Sequence, residues 1–269
     1  MLRSVKLSLV LGVVLLASCG KYNKVFNKGT SDERYIMASE LYKEGSYQKA
    51  NRLFELVLPS YENKPQKEVV VYRLADGNFK IRDYTTAIYY YEKFIRNFPK
   101  STELETAQFQ IAESYYHLSP KYSIDQTDTK KAIKAFQDFI DNNPDSDKIA
   151  DANKRINELN YKLETKAFEI AKQYYKIGNY PSAIVAFDNV IIDYLGTSYK
   201  EQAMFYKFKS AYELGVNSIY YKKETRIKDA IKVYTRYKKA FPNSEYLKEA
   251  DDLYNKLLKE SQPKQEQNS

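Results

Sequence analysis

Small and aromatic residues recur along this chain at helical spacing. Ala50 and Phe54, Ala87 and Tyr91, Ala132 and Phe136, Ala183 and Phe187, and Ala230 and Tyr234 each stand four residues apart. That interval puts both side chains on one face of a helix, and the polar residues between them make each stretch amphipathic. Three turns lead into such helices: Gly45-Ser46-Tyr47-Gln48-Lys49-Ala50, Arg82-Asp83-Tyr84-Thr85-Thr86-Ala87 and Gly178-Asn179-Tyr180-Pro181-Ser182-Ala183. Three helices stop at a proline, in Asn97-Phe98-Pro99-Lys100-Ser101, Asn142-Asn143-Pro144-Asp145-Ser146 and Ala240-Phe241-Pro242-Asn243-Ser244. Proline cannot continue a helix, and each following serine is able to cap the next one. Upstream of each alanine lies a first helix with a small residue of its own: Ala38, Ala75, Ala112 and Ala171, with Ala211 completing the series. A small side chain there lets two helices approach closely.

The punctuation predicts helix pairs over residues 33–61, 67–98, 102–143, 147–194 and 198–241, then a last helix from Ser244 to Lys259. The first three first-helix alanines are 37 residues apart, slightly longer than the usual repeat of about 34. Alternating small and aromatic residues in helix pairs resemble the tetratricopeptide repeat. The resemblance implies an all-α fold, a tetratricopeptide-repeat α-solenoid of about five helix pairs plus a C-terminal helix, over residues 33–259. Two stretches read as inserted loops, Ser119 to Thr127 and Val216 to Thr225. A helical pattern runs unbroken from about Asp147 to Ile177, and the polar, Gln-rich residues 260–269 are expected to be disordered.

The N-terminus departs from this pattern. Arg3 and Lys6 precede an uncharged apolar run from Leu7 to Ala17, which reads as a secretory leader rather than a span, since a span needs roughly 20 residues. At its end stands Leu16-Ala17-Ser18-Cys19, with the only cysteine of the chain. Leucine, two small residues and cysteine resemble the bacterial lipobox. That resemblance implies a lipoprotein signal peptide over residues 1–18, acylation of Cys19, and a lipidated flexible tether over 19–32. By the same sorting rules, Gly20 rather than an aspartate after the cysteine implies the outer membrane, with the body on its periplasmic face. Fully extended at about 3.4 Å per residue, Gly20 to Asp32 would reach roughly 45 Å from the anchor.

Composition narrows the function classes. The formal charge of +8 falls to +6 once the leader takes away Arg3 and Lys6, and basic residues are interleaved with acidic ones, so no concentrated nucleic-acid surface is expected. One histidine, His117, and no thiol beyond Cys19 remove Cys-His catalysis and the common zinc sites. Phosphate-binding glycine loops are missing. Asp125 and Asp128 read as a loop and helix start rather than a hydrolytic pair. No enzyme, cofactor or metal is expected. With 27 tyrosines and no tryptophan, the chain favours helix pairs that bury a ring and leave a hydroxyl near water, and it lacks the usual platform for sugars.

Aligning the first helices on their alanines gives two aromatic columns: Tyr35, Tyr72, Phe109 and Phe168 three residues before, and Tyr42, Phe79, Tyr116 and Tyr175 four residues after. Beside the second column runs a basic or potentially basic ladder of Lys43, Lys80, His117 and Lys176, interrupted by Asp76 and Glu113. The same spacings serve ordinary packing between neighbouring helices. As a binding surface, with Tyr35, Tyr42, Lys43, Tyr72, Phe79, Lys80, Phe109 and Tyr116 at its N-terminal end, the arrangement suits an extended peptide carrying apolar side chains and a carboxylate.

Taken together, the lipobox, the five helix pairs, Ala132-Ile133-Lys134-Ala135-Phe136-Gln137-Asp138-Phe139 with Asn143-Pro144-Asp145-Ser146, and Ala150-Asp151-Ala152-Asn153-Lys154-Arg155 on a long helix closely resemble the BamD family. These are outer-membrane lipoproteins of the β-barrel assembly machinery. The resemblance implies a non-catalytic scaffold whose N-terminal repeats receive unfolded outer-membrane protein precursors and whose C-terminal repeats dock a BamA-like barrel-forming subunit. The Lys-rich segment Tyr220-Tyr221-Lys222-Lys223 and the C-terminal tail have no match in that pattern. An alternative of the same binding class is a periplasmic repeat lipoprotein coordinating envelope or peptidoglycan synthesis.

Overall fold

A computed structural model describes residues 20–261 of the chain. The leader, the expected acylation site Cys19 and residues 262–269 lie outside the described residues. Twelve α-helices and no strand occur among those described. They are α1 (residues 20–28), α2 (Ser31–Lys43), α3 (Tyr47–Val57), α4 (Gln66–Lys80), α5 (Tyr84–Asn97), α6 (Leu104–Leu118), α7 (Thr127–Asn142), α8 (Ile149–Lys176), α9 (Tyr180–Asp193), α10 (Lys200–Val216), α11 (Tyr220–Ala240) and α12 (Leu247–Ser261). A short 3₁₀ turn, Leu58–Tyr61, follows α3. This is an all-α fold of paired helices, as the repeat resemblance implies. The 28-residue α8 is continuous because Pro144 and Gly178 bracket a stretch containing neither residue.

The repeated turns share one hydrogen-bond scheme. Gly45, Arg82 and Gly178 each take a left-handed φ, of 78°, 65° and 75°, at the exits of α2, α4 and α8. In each, the left-handed residue donates back three positions, as Gly45 N does to Tyr42 O at 3.1 Å, and the next residue donates back five, as Ser46 N does to Leu41 O at 2.8 Å. This pairing satisfies carbonyls that the helix end leaves bare. Asp83 and Asn179 then accept from the backbone N–H of Thr86 and Ser182 to start α5 and α9.

The serines after the prolines act differently from the expected caps. Ser101, Ser146 and Ser244 accept from the N–H two residues on, at 3.1–3.2 Å, closing a local turn, and α6, α8 and α12 begin three residues after their serine. Thr197 makes the same contact with Tyr199 N, at 3.1 Å, ahead of α10.

Two compact units divide the chain, one of residues up to Pro120 with Asp125–Leu159, the other of Lys121–Ile124 with the residues from Asn160 onward. In the first, Leu53, Phe54, Leu74, Tyr91 and Phe94 are fully buried between α2 and α5, and Phe136, Phe139 and Leu159 fill a core under α6 and α7. A polar knot sits within the first core. Asn51, Asp76 and Asn78 are buried, and Gly77 lies so close to α3 that a Cβ there would fall 2.2 Å from the Asn51 carboxamide. In the second unit, Phe168, Phe187 and Val190 form one core and Phe205, Phe208, Ile227, Tyr237 and Leu257 another.

Two expectations change. The flexible tether expected over 19–32 is helical from residue 20 to residue 28. Tyr22, Val25 and Phe26 of α1 pack against the first core, and the Arg34 guanidinium donates to the carbonyls of Val25 and Phe26 at 3.3 and 3.1 Å. At about 1.5 Å per residue a helix spans less than half the length of the same residues fully extended. The loop expected over Val216–Thr225 is confined to residues 217–219, because Tyr220–Thr225 holds no helix breaker and joins α11.

Candidate peptide-binding cleft

Both aromatic columns are first of all packing elements. Each member of the first column meets the aromatic of its own second helix: Tyr35 with Phe54 at 6.3 Å, Tyr72 with Tyr91 at 6.1 Å, Phe109 with Phe136 at 5.9 Å and, in the second unit, Phe168 with Phe187 at 5.9 Å between ring centroids. Most of the second column meets the residue that opens the next helix, as Tyr42 does Tyr47 at 5.3 Å, Phe79 does Tyr84 at 5.4 Å and Tyr175 does Tyr180 at 5.9 Å. Tyr116 lacks that neighbour because the Ser119–Gln126 loop intervenes; its hydroxyl donates to Glu158 at 2.6 Å.

Cations close the gaps between successive pairs. Arg73 lies 5.3 Å over the Tyr42 ring, Arg155 4.2 Å over Tyr116 and Lys209 5.6 Å over Tyr175. Arg73 and Lys209 stand two residues before Ala75 and Ala211, a register visible in the sequence but outside the two aromatic columns. The same holds for Phe208, three residues before Ala211, which is buried 5.3 Å from Tyr234 and supplies the fifth member of the first column.

The ladder beside the rings is only partly free. Lys43 is exposed at the end of α2, whereas Lys80 pairs with buried Asp76 at 2.8 Å, and Asp76 also accepts from the Tyr42 hydroxyl. His117 stacks on Tyr84 at 4.6 Å and meets Phe79 edge-on at 5.9 Å. Burial lowers its pKa from the ordinary histidine value, against the pull of Glu113, so the ring is neutral at pH 7 and contributes a face rather than a charge.

Two of the expected residues, Phe79 and Phe109, come together in one cleft of about 340 Å³ in the first unit, with Gln110, Glu113, Asp151, Lys154 and Arg155 as the remaining lining. Arg155 is committed within it, bonding Glu113 at 2.9 Å and Glu158 at 3.2 Å. Lys154 and Asp151 are exposed on the first turns of α8. The Gln110 Oε1 is buried without a hydrogen-bond partner among the described residues. The cleft therefore offers an aromatic wall and one charge of each sign at its rim. Tyr35, Tyr42 and Tyr72 do not line it. The sequence pattern does not mark Gln110, Asp151 and Lys154 as lining, though Asp151 and Lys154 lie in the segment Ala150–Arg155 that carries the family resemblance.

In the second unit, Tyr122, Ser123, Lys166, Glu169, Ile170, Gln173 and Lys176 line a cleft of about 520 Å³. Its loop is held by Lys166, which donates to Ile124 O at 2.6 Å, and Lys176 of the expected ladder opens onto it.

The outer membrane lipoprotein family YfiO matches residues 27–226 of the chain. The protein belongs to that family. Among its curated relatives, the putative outer membrane protein assembly factor BamD of Aquifex aeolicus is 29% identical over 203 residues, covering 75% of this chain and 66% of that protein. The outer membrane protein assembly factor BamD of Rickettsia prowazekii is 28% identical over 221 residues, 78% of this chain and 83% of its own. That of Caulobacter vibrioides is 23% identical over 218 residues, 80% and 72% respectively. The chain thus spans just under two thirds of the Aquifex protein and more of the other two. Outer-membrane association follows from the family, and the matched span takes in both aromatic columns, the long α8 and the first cleft.

Proposed function

We propose that the protein is a non-catalytic assembly factor for outer-membrane β-barrel proteins, held at the periplasmic face by acyl chains on Cys19. The first unit would receive unfolded precursors and the helix pairs from α9 onward would dock a BamA-like barrel-forming subunit. The observation that carries the first half is the Phe79–Phe109 cleft. An extended peptide can set an aromatic side chain against the two rings and place a carboxylate by Lys154. The ring gains by leaving water, the rim charge orients the peptide, and neither contact needs a reacting group.

A labelled peptide from the C-terminus of a barrel protein, titrated by fluorescence anisotropy, tests this reading. Lys154→Glu should weaken binding about tenfold, the equivalent of roughly 1.4 kcal/mol, with the melting temperature unchanged because Lys154 is exposed. Amidating the peptide terminus should weaken wild-type binding and, by relieving like-charge repulsion, raise the affinity of the Lys154→Glu variant. Equal affinity for wild type and variant, or for the peptide and its scrambled form, would reject the cleft. Co-purification tests the wider role: recovery of a large β-barrel protein with periplasmic domains is expected, and recovery of cell-wall enzymes alone would favour envelope or peptidoglycan coordination instead.

A further inference from the structure

The start of α11 presents an apolar tip that nothing in the fold uses. Tyr220 and Tyr221 are 96% and 75% exposed, and Ile219, which precedes the helix, is 54% exposed. Tyr220 stands seven residues before Ile227 and so continues the face on which Ile227, Ala230, Tyr234 and Tyr237 are buried. The apolar stripe of α11 outruns the core beneath it. Around the tip the charge is one-sided: residues 222–228 hold four basic side chains and one acidic. Lys223 reaches Glu260 at 2.6 Å and Lys228 reaches Glu224 at 2.6 Å. Lys222 stands 5.7 Å from the Tyr221 ring centre and meets no carboxylate among the described residues.

We propose that Ile219, Tyr220 and Tyr221 rest on an anionic phospholipid surface, at the level where head groups meet acyl chains, with Lys222 and Lys223 against the head groups. This contact is separate from the acyl anchor expected at Cys19 and from the peptide cleft. Three features select a lipid surface over a protein. Consecutive residues at a helix start make a tip, whereas protein hot spots sit within a ring of neighbours that exclude water. Tyrosine has an apolar body and a polar end, and it concentrates at the bilayer boundary together with lysines whose stems lie along apolar surface. The net positive charge complements anionic head groups, and the family places the chain at a membrane.

The chain has no tryptophan, so Tyr220→Trp introduces a single reporter into the full-length protein, and Tyr221→Trp a second. Each is read after reconstitution into phosphatidylethanolamine–phosphatidylglycerol vesicles, some carrying brominated acyl chains. The expected result is a blue-shifted emission quenched by bromine, weaker on phosphatidylcholine vesicles. Adding Lys222→Glu and Lys223→Glu should lower occupancy about fivefold or more for each lysine. Emission that stays water-like and unquenched in vesicle-bound protein would overturn the proposal, as would a shift produced only by adding the barrel-forming subunit. Vesicle flotation reports the anchor and emission reports the tip, so the two fail independently. If the chain does not float, the same reporter titrated with vesicles in solution decides the tip alone.

Discussion

At the scale of single residues, the first core depends on a place where a side chain is missing. Gly77 sits inside α4, where glycine ordinarily weakens a helix by roughly 1 kcal/mol relative to alanine. Its hydrogen faces the Asn51 carboxamide of α3, and a Cβ would fall 2.2 Å away from it. With the amide nitrogen turned toward Tyr47 O, the Asn51 oxygen accepts from Asn78 N at 3.1 Å, while Asn78 Nδ2 donates to Leu74 O at 2.7 Å. Moving Asn51 aside therefore breaks a buried polar link as well as a packing contact. Gly77→Ala should lower stability by about 1–3 kcal/mol in urea unfolding, since overpacking outweighs the gain in helix propensity. The cost should shrink in an Asn51→Ala background, where the clash is gone. A helix-propensity gain in the wild-type background, with Gly77→Ala more stable, would show that α3 yields freely.

At the scale of elements, equivalent turns solve one geometric problem with different residues. Gly45 and Gly178 adopt the left-handed conformation without a Cβ, whereas Arg82 adopts it at a φ of 65° and makes the same backbone hydrogen bonds. A non-glycine residue there costs about 1–2 kcal/mol. Glycine returns part of that gain through its freer unfolded chain, about 0.4–1 kcal/mol. Arg82→Gly should accordingly stabilise the protein by about 0.5–1 kcal/mol, and Gly45→Arg should destabilise it by a similar amount, both read by thermal melts. The side chain of Arg82 is exposed, so little packing is lost.

This same punctuation explains what the sequence made legible. Glycine turns and prolines act locally, and the helices begin and end within a few residues of the positions they predict. The first turn of α11 escaped because a polar, aromatic stretch without glycine or proline can be loop or helix, and only its neighbours decide. The cleft was half legible. Phe79 and Phe109 share a register with other repeats and Gln110 follows Phe109 on α6, but Asp151 and Lys154 meet them only after α6 and α8 are brought together, and no spacing along the chain announces that meeting. The tether illustrates the opposite error: the lipobox implied a free spacer after Cys19, yet three apolar side chains on one face of α1 pack it against the first core.

At the scale of the whole molecule, the abundance of tyrosine sets the response to alkali. Burial pushes the phenols of Tyr61 and Tyr90 up to about 12, with Asp32 accepting from the Tyr61 hydroxyl at 2.7 Å and opposing ionisation further. Burial also raises Tyr42, Tyr72 and Tyr91 well above the ordinary value of 10.0, and Tyr91 holds its hydroxyl in the core with no hydrogen-bond partner among the described residues. A phenol is charged when deprotonated, so the folded state keeps protons that the unfolded chain releases above about pH 10. With more protons bound in the folded state, stability is fully present below the unfolded value and falls as pH rises through the window from 10 toward 12 and beyond. Each such group adds to the slope, so unfolding should be cooperative in pH. Absorbance of phenolate against pH should show part of the 27 tyrosines titrating near their ordinary value. The rest should ionise only in a steep step, coincident with loss of the helical circular dichroism signal, and urea midpoints should fall across the same window. A smooth titration of every phenol near pH 10 with helicity intact would mean that the rings between the helix pairs are open to water, and the packing role assigned to both aromatic columns would be wrong.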